Sequence, residues 1–153
     1  MKTTLIIVTD LGMVKAYELS STIRGTPHLE LIETVVLEEG HQKLAERVSD
    51  LAGRRGGPTN NKGGAPMADD HNMREEIKRR LIKQIAGHIT RLAQSHPESR
   101  CWLAATKEIN NPILEALPRP IGDRIESNVV RDLTRSDEPV ILESFAVQSP
   151  AAR

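Results

Sequence analysis

The sequence predicts a single α/β domain, a mixed β-sheet with helices packed on it. Three observations carry this. The 153 residues fit one ordinary domain of roughly 100–200 residues. Strand-like patterns fill the opening third, and helical patterns then alternate with short apolar runs. No internal repeat or second composition regime marks a further domain. The expected domain spans residues 1–147, with 148–153 a frayed tail.

Residues 3–9, TTLIIVT, are apolar and β-branched on both faces, as a central strand requires. Asp10-Leu11-Gly12 is a turn signal, and residues 13–19 can pair back as a second strand. Residues 28–37, HLELIETVVL, alternate and complete a three-stranded meander. In residues 41–51, Leu44, Val48 and Leu51 space a short amphipathic helix. Residues 52–72 hold five Gly and two Pro with no apolar period, and are read as a loop. Asn72 and Glu75 then form a capping box for a long helix striped by Ile77, Leu81, Ile85, Ile89 and Leu92. Residues 101–106 form a buried strand, 108–117 a helix with Pro112 near its start, and 123–131 a strand. Ser136 caps a last helix that buries Val140, Ile141, Leu142 and Phe145.

Composition narrows the functions. Lys plus Arg and Asp plus Glu both count 21, so no global field draws the chain to nucleic acid. Tyr17, Trp102 and Phe145 are the only aromatics, which disfavours a stacking platform for bases or sugars. Cys101 is the single cysteine, so disulfides and CxxC motifs are excluded and a reducing, cytoplasmic compartment is expected. Asp10 interrupts the opening apolar run, which reads as a strand and not a signal peptide. No run approaches the roughly 18 apolar residues of a membrane span, so no membrane partner is expected.

The 52–72 loop is the leading candidate for the working part, because structureless loops beyond about 12–15 residues are usually functional or disordered. Arg54, Arg55 and Lys62 stand among Gly56, Gly57, Gly63 and Gly64. Glycine lets backbone approach a phosphate, and Arg grips it with two donors, so this set is the expected RNA or anion site. A soluble connector is the plain alternative. The P-loop pattern GxxxxGK[ST] is absent.

Four segments carry a family resemblance: LIIVTDLGMVKAYEL, the glycine-rich loop before the long helix, WLAATKEINNPILEALP, and VVRDLTRSDEPVILESF. Over almost the whole chain the sequence resembles the bacterial family called protein required for attachment to host cells. That family is similar to the middle domain of archaeal and eukaryotic class-I peptide-chain release factors. The resemblance implies an RNase H-like fold and a translation-related factor on the ribosome or RNA. The release-factor loop carries Gly-Gly-Gln; the nearest match here is Gly56-Gly57-Pro58, without the glutamine. Pro58 has no N–H to offer an oxyanion. No catalytic residue is therefore carried over, no cofactor is implied, and peptidyl-tRNA hydrolysis is not expected. The alternatives are a protein-interaction module linked to host attachment and a metal-dependent nuclease.

Other candidates have plainer readings beside them. Lys78, Arg79, Arg80, Lys83 and Arg91 form either a basic strip or a solvated helix face with Glu75–Arg79 and Glu76–Arg80 pairs. Asp69, Asp70 and His71 bind a metal or favour the positive end of the following helix. Asp10 and Asp132 follow strands, where RNase H-like nucleases hold Mg²⁺, yet each also suits an ordinary turn. Cys101 reads as an inert core thiol.

Overall fold

The computed structural model describes residues 3–21, 23–40 and 66–148. The helix expected at 41–51 and the loop residues 52–65, with all seven candidate anion-binding positions, lie outside the described residues.

Strands β1 (Thr4–Asp10), β2 (Met13–Ser21) and β3 (Pro27–Val36) form the expected antiparallel meander. The chain then supplies helix α1 (Pro66–Ser95), strand β4 (Arg100–Ala105), helices α2 (Lys107–Ala116) and α3 (Arg119–Gly122), strand β5 (Ile125–Val130) and helix α4 (Glu138–Gln148). The five-stranded sheet has the order β3-β2-β1-β4-β5. β1 pairs parallel with β4, and β4 parallel with β5, so the sheet is mixed.

β1 is central because its side chains are apolar on both faces. Leu5 and Ile7 meet Leu81, Ile85 and Ile89 of α1 and Ile109 and Ile113 of α2 on one side. Ile6 and Val8 share the other side with Ile141 and Phe145 of α4. There Trp102 stacks on Phe145, with ring centroids 5.3 Å apart. Each such aromatic or aliphatic side chain, fully buried, contributes about 1.5–3 kcal/mol.

Several expectations need correction. α1 begins at Pro66, so residues 66–72 are helical and the loop ends earlier. Asn72 is inside the helix and does not cap it. The reason is local: the last glycines are Gly63 and Gly64, proline suits a first helical position, and Asp69 and Asp70 suit an early turn. Asp69, Asp70 and His71 therefore belong to the helix and do not stand ahead of it. Pro112 is interior to α2. β5 starts at Ile125, because α3 and a turn at Asp123–Arg124 occupy the preceding residues. Asp137, one residue after Ser136, is the residue whose carbonyl takes the first helical N–H groups of α4, from Val140 and Ile141.

Cys101 is fully buried. Burial pushes its thiol above the ordinary value of 9.0, Arg124 opposes that, and Glu126 adds to it. The folded thiol keeps its proton while the unfolded one ionises. The contribution to stability is therefore complete below about pH 9 and is lost as pH rises further. Native protein is expected to resist a thiol reagent, and reaction should follow global unfolding. Cys101→Ala should flatten the alkaline decline. Rapid labelling of folded protein would show that the strand opens locally.

Candidate functional site

The carboxyl ends of β1, β4 and β5 gather the polar groups that the chain keeps apart in sequence. Asp10 Oδ1 accepts the Gly12 N–H at 2.8 Å and closes the β1–β2 turn. Thr134 Oγ1 lies 3.3 Å from Asp10 Oδ2 and 2.6 Å from Asp132 Oδ1. Asp132 Oδ1 also accepts the Thr134 N–H at 3.0 Å. Lys15 Nζ donates to the Thr134 carbonyl at 2.7 Å. The Asp-Leu-Thr turn after β5 is thus pinned to the meander, and Asp10 and Asp132 meet at one hydroxyl.

This geometry suits anchoring. Among the described residues, no three His, Cys, Asp or Glu side chains converge as a metal site would need. Three of the four carboxylate oxygens already accept hydrogen bonds from this chain. Beside them, α2 is locked to β5 by Asn110 and Asn128, whose amides bond reciprocally at 2.8 Å. Asn110 is almost fully buried. The pair satisfies groups that would otherwise cost about 1–3 kcal/mol each.

The described residues that precede the segment 41–65 pack at the same edge. Residues 38–40 are helical. Gly40 lies against the Leu11 carbonyl and Leu81 so closely that a Cβ there would fall 1.7 Å from the Leu11 oxygen. Within α1, Lys78 lies 3.5 Å from Glu108 in the first turn of α2. Among the residues of α1 with described side chains, the buried positions run from Ile77 to Ala93, about 24 Å of helix, close to the length of β1. Asn72, Met73, Arg74 and Glu76, which precede them, are exposed.

The supposed basic strip on α1 is mostly consumed by ion pairs. Lys78 meets Glu75 and Glu108, Arg80 meets Glu39, and Arg91 grips Glu33 through both guanidinium nitrogens. Arg91 holds the Glu33 carboxyl below its usual range, chiefly by hydrogen bonding. The expected Glu75–Arg79 and Glu76–Arg80 pairs are not found among the described residues: Glu75 meets Lys78 on the same helix, and Arg80 meets Glu39. These exposed pairs contribute about 1 kcal/mol at most. A groove of about 460 Å³ runs along the outer side of α1 past Lys83, Gly87 and Thr90 to Ala116 and Pro118.

Sequence reasoning missed Lys15, Thr134, Gly40 and Arg124. Thr134 carried a signal, since Asp-x-Thr is a side-chain-closed turn. Gly40 and Lys15 carried none, because their partners are remote in the chain.

Fold and edge together define a small α/β domain with a five-stranded mixed sheet and a polar cluster at the carboxyl edge of its parallel strands. A family model for protein required for attachment to host cells matches residues 5–144, and the chain belongs to that family. No curated protein matches it. Among the described residues, no helix is long and apolar enough to cross a membrane.

Proposed function

We propose that this protein is a protein-interaction module in host attachment, which binds its partner through residues of the segment 41–65. The observation that supports it best is the packing of Gly40, the last described residue before that segment, against the Leu11 carbonyl at the β1–β2 turn. Family membership supports the attachment role. Arg54, Arg55 and Lys62, with Gly56, Gly57, Gly63 and Gly64 around them, are the contact residues in this reading. The reading places the protein in the cytoplasm, with its effect on attachment passing through the partner.

A second reading keeps the release-factor relationship and an RNase H-like fold. It is favoured by the strand order with its parallel β1-β4-β5 half, and by a glycine-rich segment ahead of a long helix. The partner is then RNA or the ribosome. Without the glutamine of Gly-Gly-Gln, such a factor binds and does not hydrolyse.

One experiment separates the two. Tagged protein and a variant lacking residues 54–64 are purified from lysate with and without ribonuclease, and sedimented through sucrose. A specific protein that survives ribonuclease and is lost with the deletion is the expected result. Ribosome co-sedimentation abolished by ribonuclease would replace it with the second reading. In that case three phosphate contacts give a log–log salt slope of about −2. Changing Arg54, Arg55 and Lys62 together to Ala should remove most of that slope with little change in melting temperature.

A further inference from the structure

β3 forms one edge of the sheet, and among the described residues no strand covers its outer side. The backbone shows which of its groups face outward. The Leu37 N–H donates to the Gly12 carbonyl at 2.9 Å, so Gly12 faces β3, and with it Val14, Ala16, Glu18 and Ser20 at alternate positions of β2. Ser20 pairs with His28 and Glu18 with Glu30. His28 and Glu30 therefore bond inward, and Pro27, Leu29 and Leu31 turn their backbone groups to the open edge. A register shift follows Leu31 and ends this run.

Two side-chain facts set this run apart. Glu18 and Glu30 stand directly opposite each other, and no ion pair to either is found among the described residues. Like charges so placed destabilise a strand pair. On the opposite face Leu31 is 51% exposed beside Leu29, although large apolar side chains there would normally be covered.

We infer that Pro27–Leu31 pairs antiparallel with the same run of a second copy, about a two-fold axis through Leu29. This register sets His28 opposite Glu30 of the second copy, twice. Each histidine thus comes beside the Glu18–Glu30 carboxylates that lack a cation. On the other face Leu31 meets Pro27 of the second copy, again twice, and Leu29 meets Leu29. The Leu29 and Leu31 N–H groups gain acceptors. Proline at 27 and the register shift after Leu31 confine the pairing to a few residues, so the dimer is a closed pair and not a growing sheet.

Sedimentation velocity of the full chain over a concentration series tests this. Wild type is expected to pass from 16.9 kDa toward twice that mass. H28E, which sets like charges opposite each other twice, should weaken association by about tenfold or more. The swap H28E/E30H restores a histidine opposite a carboxylate and should recover it. Leu31→Pro removes an outward N–H and should abolish it, with far-UV circular dichroism checking the fold. Wild type monomeric up to about 1 mM, H28E dimerising like wild type, or a double variant as weak as H28E would each overturn the inference.

Discussion

Gly40→Ala is expected to lower the stability of this protein by about 3 kcal/mol or more. The atoms in the way are the carbonyl oxygen and carbon of Leu11, at 1.7 and 2.6 Å from the added Cβ. They belong to the β1–β2 turn, which Asp10 fixes through the Gly12 N–H, so neither side yields cheaply. For a domain of this size the melting temperature should fall by roughly 6–12 °C. Gly87 supplies the opposite case. A Cβ there meets nothing within 4 Å, and the residue is exposed in the middle of α1. Gly87→Ala should raise stability by about 0.5–1 kcal/mol, because alanine loses less entropy in a helix. Thermal melts of the two variants should move in opposite directions. A Gly40→Ala protein melting with wild type would mean that the chain leaves β3 by another path.

Arg124→Ala is expected to cost about 2–3 kcal/mol. Its guanidinium donates to the carbonyls of Ala93 at 2.8 Å, His96 at 2.6 Å and Ser99 at 2.7 Å. One side chain therefore satisfies the end of α1 and the turn into β4, and ties both to the start of β5. Helix C-termini leave carbonyls that need such donors. Arg124→Lys should recover only part of the loss, since an ammonium lacks the planar fork that spans three acceptors. Urea unfolding midpoints of the two variants give the measurement. Equal midpoints for lysine and arginine would show that charge alone matters there, and an unchanged alanine variant would show that water replaces the fork.

The meander was readable because its signals are local. Leu29 and Leu31 alternate with Glu30, Asp10-Leu11-Gly12 breaks the run, and TTLIIVT can only be buried. The start of α1 was misread for a reason that is also local. Glycine and proline are dense across 52–72, but no glycine stands between Gly64 and the start of α1, and Pro66 is a helix starter. The candidate site is a reading of composition alone, Arg54, Arg55 and Lys62 among glycines, and those residues lie outside the described ones.

The sequence by itself determined the three-stranded meander, the strand after α1, the central place of β1, the buried stripe of α1 and the single buried thiol, since each follows from periodicity or from one residue's solubility. Tertiary structure alone decided that Asp10 and Asp132 meet at Thr134, that Arg80 and Arg91 pair with Glu39 and Glu33 instead of neighbours on their own helix, and that Gly40 lies under the Leu11 carbonyl. Those outcomes depend on which strand lies beside which. Parallel pairing of β1, β4 and β5 brings residues more than a hundred positions apart to one edge, and no local pattern encodes a contact between elements so distant in the chain.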